Sequence, residues 1–219
     1  MLRSLYSGIS GMRGFQTKLD VIGNNIANVN TVGFKSSRVM FQDMLSQKIS
    51  GVTAPTDETG GVNAKSVGLG TTIGAIDVLH TPGSAMTTNI VTDLRIDGDG
   101  FFAIAPNEDF ETPLLTRAGN FTLDAERRLV TADGMFVLAE GGDIIELDDE
   151  VTAFSISTNG EIIAINQDGT SESTDIFIGV VMVTNPRGLE QVGGNRYQMT
   201  PNSDVDIPEI GLANDADTG

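Results

Sequence analysis

The sequence predicts a mainly β protein that begins with an α-helical arm, continues through an extended linker and ends in an all-β body. Three observations carry this prediction. Apolar residues recur at helical spacing over residues 2–29, and residues 46–70 are rich in Gly, Ser and Thr. From about residue 71 short strand-like segments alternate with turn pairs, as in a barrel or sandwich. The full chain of 219 residues is long enough to bury a core.

The first predicted element is a helix with a narrow apolar stripe. Steps of three and four residues, typical of coiled-coil a and d positions, join Leu2, Leu5, Ile9, Met12, Phe15, Leu19, Ile22, Ile26 and Val29. Each interior glycine costs roughly 1 kcal/mol of helix propensity relative to alanine, and the stripe is interrupted by Gly8, Gly11, Gly14 and Gly23. No later segment shows a matching stripe. We therefore predict an assembly helix whose partner is another molecule.

The helix is predicted to end near residues 28–30, where asparagines accumulate before Gly33. Two interpretations of the asparagines stay open: a C-terminal cap with a solvated face, or amides that hydrogen-bond neighbouring backbones in an assembly. Phe34, Phe41, Met44 and Leu45 suggest a short second helix over residues 37–48. The predicted helical arm is then 1–45, and 46–70 is the predicted linker.

Residues 71–205 are predicted to form the β body, with an acidic tail over 206–219. Asp-Gly and Asn-Gly pairs supply the positive φ angles of tight turns. The strands predicted between these turns are 72–80, 92–97, 100–105, 114–117, 120–124, 128–131, 135–139, 143–147, 152–157, 161–165, 175–184 and 196–200.

Charge is unevenly distributed along the chain. Through Ser50 six basic residues stand against two acidic ones, a net of +4, whereas the remainder has 7 basic and 28 acidic residues, a net of −21. Such an acidic body argues against nucleic-acid binding, which needs basic surface. No apolar run reaches 18 residues, and no signal-peptide h-region is present, so neither a membrane span nor a cleaved leader is predicted.

We predict no catalytic, metal or cofactor site. The chain has no cysteine, and His80 is its only histidine, which excludes thiol chemistry and multi-histidine metal sites. The residues around Asp97 and Asp99 fail the EF-hand pattern, because Arg95 and Ile104 occupy ligand positions. The acidic run 148–150 is interpreted as a solvated turn, and His80 as a strand-end residue. The chain is therefore not predicted to be an enzyme.

The segment LDVIGNNIANVNTVGFK, residues 19–35, resembles the N-terminal motif of the bacterial flagellar rod and hook (axial) protein family. Further similar segments are HTPGSAMTT (80–88), DLRIDGDGFFAI (93–104), TRAGNFTLDAERRLVTADGMFVL (116–138) and VTNPRGLEQVGGNRYQMT (183–200). The motif residues are Asn24, Asn25, Ala27, Asn28, Thr31, Gly33, Phe34 and Lys35.

This resemblance implies a structural subunit of the flagellum, exported by the flagellar type III apparatus without a cleaved leader. Such subunits stack helically into a tube with a coiled-coil inner layer of N- and C-terminal helices. A short-form hook protein is the first prediction, from VGLGTTIGAI (67–76) and LDAERRLV (123–130), and a distal rod protein is the alternative. Implied partners are other copies of the chain and distal rod, hook cap and hook–filament junction proteins.

The C-terminal helix that the resemblance implies has no counterpart before residue 219. The net charge of +4 through Ser50 leaves a second class of function open. Residues 1–45 could be an amphipathic anchor that holds a secreted β-domain protein on an anionic membrane surface. The few charges and the absence of Trp speak against this anchor.

Overall fold

The fold is taken from a computed structural model, which describes residues 2–57, 59–108, 110, 112–148, 151–166, 169–204 and 210–212. The chain divides into two compact units. The arm unit comprises Met1–Val29 and Ser36–Leu79, and the body unit comprises Asn30–Lys35 and His80–Gly219. The predicted mainly β class is confirmed. None of the helices in the described part of the chain combines the length and apolar character needed to cross a bilayer.

The arm unit contains the predicted N-terminal helix, α1 (Leu2–Ala27). The helix ends where the backbone N–H groups of Asn28 and Val29 donate to the carbonyls of Asn24 and Ile26. It packs on two antiparallel strands, β1 (Ser37–Asp43) and β4 (Thr71–Val78). A partner for the helix is therefore present within the chain, which the sequence did not reveal.

The predicted second helix over 37–48 is wrong. This segment forms β1 and the start of β2 (Ser46–Ser50). Isolated helices of about a dozen residues are marginal in water, whereas β4 offers a complete row of backbone partners, from Val78 opposite Ser37 to Thr71 opposite Asp43. Long-range pairing therefore decides the conformation of this segment.

The predicted extended linker over 46–70 is also wrong in part, because it contains a hairpin. Strand β2 pairs in antiparallel fashion with β3 (Lys65–Gly68), and the pairing continues as an isolated bridge between Thr53 and Val62. Every residue of both strands is exposed. The Gly- and Ser-rich composition reflects this solvent exposure rather than an absence of structure.

The body unit is built on an antiparallel sheet in the order β14-β15-β6-β5-β9-β8-β7, with β13 paired to β5. Its strands are β5 (Phe101–Ala105), β6 (Leu114–Thr116), β7 (Phe121–Leu123), β8 (Leu129–Thr131), β9 (Phe136–Val137), β13 (Val180–Val181), β14 (Glu190–Gly193) and β15 (Arg196–Gln198). A second antiparallel sheet has the order β10-β11-β12, formed by β10 (Val151–Ile156), β11 (Glu161–Asn166) and β12 (Ser171–Phe177). Among the described residues these sheets stay open and form no closed barrel.

Several predicted strands differ in the structure. Residues 92–97 make only the bridge from Asp93 to Asn120, and 143–147 make only single bridges to neighbouring segments. The predicted strand 175–184 is divided between β12 and β13, because the N–H of Gly179 turns to the carbonyl of Leu138. Strand β14 was not predicted, and of the predicted tail the structure describes only 210–212.

Strand β5 lies at the centre of the core. Its side chains alternate between two buried clusters, as a strand covered on both faces requires. One cluster contains Phe102, Ile104, Phe121, Leu129, Val137, Ala139, Ile145, Leu147, Ile162 and Ile178. The other contains Phe101, Ala103, Ala105, Leu115, Leu138, Val181, Val183 and Tyr197. The body unit therefore has a packed hydrophobic core of its own.

Candidate assembly surface

Helix α1 contacts the sheet of β1 and β4 mainly through small residues, and of its apolar stripe Phe15 contacts β1. Gly14 is the buried residue of the helix, and a Cβ atom there would lie 2.7 Å from Cε1 of Phe41. A Cβ on Gly70 would lie 3.3 Å from Cα of Ser7. Glycine at these two positions thus permits close approach of helix and sheet. At Gly8, Gly11 and Gly23 none of the described atoms would lie within 4 Å of an added Cβ.

The predicted stripe is largely exposed. Leu5 is 60%, Met12 66%, Leu19 67% and Ile26 67% exposed, and at the margin of the stripe Phe15 contacts Phe41 with ring centroids 5.5 Å apart. Leu2, Ile22 and Val29 are exposed as well, and Ile9 is half-buried. Apart from Phe15 and Ile9, the stripe residues have no covering element in the part of the chain that the structure describes. An apolar surface of this extent marks an interaction site.

The asparagines of the motif connect α1 to β1. The side-chain amide of Asn25 donates to the carbonyl of Ser37 at 2.8 Å, and its oxygen accepts from the N–H of Ser37 at 3.0 Å. Asn28 Nδ2 donates to the carbonyl and to Oδ1 of Asn24. Of the two interpretations, a helix-end cap describes Asn28, while Asn25 binds a backbone within its own chain. Ala27 is exposed.

Replacing Asn25 with alanine should destabilise the arm unit. Both hydrogen bonds to Ser37 are lost, and unsatisfied partners of this kind cost about 1–3 kcal/mol. Urea unfolding followed by circular dichroism at 222 nm measures the change in helix stability. Asn24→Ala is the matched control, because it removes one exposed side-chain bond only, and an equal loss in both variants would contradict the role of Asn25.

The second half of the motif belongs to the body unit. Gly33 has φ of +72°, and a Cβ there would lie 2.8 Å from Cα of Ala118. The N–H of Phe34 donates to the carbonyl of Thr31 across this turn. Asn195 Nδ2 donates to the carbonyl of Val32 at 2.7 Å. The motif residues are therefore divided between the two units, each set with its own contacts.

Replacing Gly33 with alanine should loosen residues 30–35 from the body. An L-residue with positive φ costs about 1–2 kcal/mol, and the close backbone of Ala118 adds to it. Gly134→Ala is the matched control, because Gly134 has φ of +79° but open space around it. Amide hydrogen exchange of residues 30–35 should rise in Gly33→Ala alone, and unchanged protection would refute the close approach.

The last motif residue, Lys35, is buried beside His80 and Arg117. Lys35 is 8% exposed, and its Nζ donates to the carbonyl of Thr81 at 2.8 Å. Burial lowers the pKa of Lys35, the charge of Arg117 lowers it further, and Asp99 raises it in part.

Arg117 and His80 complete this group of side chains. Arg117 Nη1 donates to the carbonyl of Gly98 at 2.8 Å, and its Cζ lies 4.7 Å from the ring centroid of Phe101. The His80 ring lies 5.6 Å from that of Phe101 and 5.5 Å from that of Tyr197. Burial is the main cause that lowers the pKa of His80 to about 4. The sequence interpretation of His80 as a strand-end residue did not anticipate this packing.

The acidic segments considered in the sequence analysis make the following contacts. Asp97 forms an ion pair with Arg95, and Asp148 offers its carbonyl to Arg127 Nη1 at 2.7 Å. Asp149 and Glu150 lie outside the described residues. Among the side chains that the structure describes, no group of three or more potential metal ligands is found.

Comparison with known proteins identifies the family. Residues 5–35 match the family model of the flagella basal body rod protein, and residues 95–164 match that of the flagellar hook protein FlgE/F/G D1 domain. The rod protein FlgG of Bacillus subtilis is 48% identical over 203 residues, which cover 93% of this chain and 75% of FlgG. FlgG of Borreliella burgdorferi is 35% identical over 96% of this chain and 78% of its own length.

Hook proteins match a shorter region. The hook protein FlgE of Borreliella burgdorferi is 52% identical over 136 residues, which cover 62% of this chain and 30% of FlgE. The predictions of a rod or hook structural protein and of a flagellar location are confirmed by these matches. The chain belongs to the family of flagellar rod and hook proteins.

Proposed function

We propose that this chain is a self-assembling structural subunit of the flagellar tube and that the exposed stripe of α1 is its main docking surface. The observation that carries the proposal is the orientation of α1. Its small residues pack on β1 and β4, while its apolar stripe stays exposed. A stripe of coiled-coil spacing fits the helices of neighbouring copies.

The apolar surface is large enough to drive association. Full burial of one Leu, Ile, Met or Phe side chain contributes about 1.5–3 kcal/mol. Leu5, Met12, Leu19 and Ile26 are 60–67% exposed, so burying their remaining surface would contribute about 4–8 kcal/mol per copy before the entropic cost of association is subtracted. In a tube each copy would add further contacts with its other neighbours to this contribution.

The hairpin of β2 and β3 supplies a second docking surface. Isolated two-stranded hairpins are marginally stable in water. Leu45 is 82%, Ile49 71% and Val67 47% exposed, and both strands lack a covering layer among the described residues. A neighbouring copy that packs on these residues would stabilise the hairpin.

A rod position is favoured over the hook position that the sequence first suggested. Alignments with rod proteins extend over 93–100% of this chain, whereas those with hook proteins extend over 62–74%. The hook remains the second candidate, because two hook relatives are 52% and 53% identical within the shorter match. Export through the flagellar type III apparatus and contacts with distal rod, hook cap and hook–filament junction proteins belong to the same proposal.

Immunogold labelling of isolated hook–basal bodies from the source bacterium tests the position. Label on the straight rod supports a rod subunit, and label on the external curved structure supports the hook. Label on neither would refute the tube proposal. Salt-dependent co-sedimentation with anionic liposomes would instead support the membrane-surface anchor.

A further inference from the structure

We propose that Lys35, His80 and Arg117 form an acid-sensitive latch, which holds residues 30–35 on the body unit at neutral pH and releases them when His80 gains a proton. The latch is a property of the single chain, so it does not depend on the proposed assembly. Residues 30–35 carry the second half of the family motif, and their release would change how the arm is connected to the body.

The position of the latch follows from the path of the chain. The chain passes from the body unit to the arm unit at Lys35–Ser36 and returns at Leu79–His80. The hydrogen bond from Lys35 Nζ to the carbonyl of Thr81 joins these two points on the body side. The Lys35–Thr81 bond therefore joins the segment that leaves the body unit to the segment that returns to it.

The surroundings of His80 favour its neutral form. Its ring packs edge-on against Phe101 and Tyr197, and burial lowers its pKa although the backbone hydrogen bond with Pro186 raises it in part. Nδ1 is buried and has no hydrogen-bond partner among the described residues. Protonation would convert this atom into a buried N–H donor without an acceptor, which is costly.

The charges around His80 are mainly positive. Lys35, Arg117 and the exposed Arg187 all act on the imidazole, whereas Asp99 is the carboxylate that acts on Lys35 and Arg117. Tyr197 is neutral, because burial raises its pKa above the ordinary value. A proton on His80 would therefore add a further positive charge to a half-buried group of like charges.

Lys35 is the member that can leave. Arg117 is fixed within the connection from β6 to β7 by Gly98 and by the Phe101 ring. Lys35 is held through a single carbonyl bond, at the end of a short surface segment. Moving Lys35 into water relieves the repulsion and takes Val32 and Gly33 away from Asn195 and Ala118.

The pH range of release follows from the difference in the pKa of His80 between the latched and the released form. In the released form His80 has its ordinary pKa of 6.5, and in the latched form its pKa is about 4. Below pH 6.5 the released form binds a proton that the latched form does not bind. The equilibrium therefore shifts towards release as pH falls, by at most about 300-fold once pH 4 is passed.

Nuclear magnetic resonance of the whole chain tests the latch. His80 is the only histidine, so its ring gives a single titrating signal, and the Gly33 and Lys35 amides report the segment. We expect all three to shift with one common midpoint well below pH 6.5. A His80 midpoint near 6.5, or amides that do not follow His80, would overturn the proposal.

Two variants distinguish the effect of protonating His80 from the effect of protonating the many carboxylates that titrate in the same pH range. His80→Gln keeps a side-chain donor but cannot titrate, so the Gly33 and Lys35 transition should disappear. Arg187→Gln changes an exposed residue and should raise the His80 midpoint with the amides following it. A Gly33 and Lys35 transition that is unchanged in His80→Gln, or amides that do not follow His80 in Arg187→Gln, would refute the latch.

Discussion

Replacing Leu19 with aspartate is expected to abolish assembly while the monomer stays folded. Leu19 is 67% exposed, so its replacement removes few contacts within the chain. In a helical interface the same change would place a charge against apolar side chains, which costs several kcal/mol. Electron microscopy of basal bodies from cells that produce the full-length variant should show the tube missing. Circular dichroism of the purified variant should match the unmodified chain.

Gln16→Asp is the matched control for this prediction. It introduces the same residue on an exposed position of α1 outside the stripe and should leave the tube intact. Ile22→Asp, within the stripe, should reproduce the effect of Leu19→Asp. If Leu19→Asp cells built normal tubes, the stripe would not be the docking surface. If the variant lost its cooperative unfolding, Leu19 would instead belong to the fold of the monomer.

Replacing Phe121 with alanine should lower the free energy of unfolding by about 3–5 kcal/mol, as is usual for a buried Phe. Phe121 is 1% exposed, and its ring lies 5.1 Å from that of Phe102 at an interplanar angle of 83°. The cavity would lie next to Phe102, in the buried cluster on one face of β5. Urea unfolding monitored by near-ultraviolet circular dichroism reports the cooperative unfolding of the body unit, because Tyr197 is buried in the cluster on the other face of β5.

Leu123→Ala is the control on the same strand, β7. Leu123 is 40% exposed, so less apolar surface returns to water and the loss should stay below about 1.5 kcal/mol. Equal losses at Phe121 and Leu123 would show that β7 is not packed as described. Such a result would also question the position of β7 at the edge of the main sheet.

Local patterns were sufficient for α1 and for most strands of the body. The helical spacing from Leu2 to Val29 predicted α1, whose observed end at Ala27 lies close to the predicted end. Strands β5, β10 and β11 lie where alternation and turn pairs placed them. These features depend on neighbouring residues only, and neighbouring residues are what a sequence pattern records.

Features that depend on distant residues were not predicted. Strand β1 exists because β4, about thirty residues later, supplies its backbone partners. The hairpin of β2 and β3 closes over a stretch whose composition resembles a linker. The compact units also divide the chain differently from the predicted boundaries, since β4 belongs to the arm unit and residues 30–35 to the body unit.

The candidate assembly surface likewise combines features that the sequence predicts with features that depend on distant residues. The sequence by itself determined the apolar stripe, the motif from Asn24 to Lys35 and hence the family. Only the tertiary structure decided that α1 packs through Gly14, so that the stripe remains exposed. It also decided that Gly33 must lie against Ala118 and that the half-buried His80 packs against Phe101 and Tyr197. The reason is physical: helical spacing is fixed within a few residues, whereas burial depends on which distant segments meet.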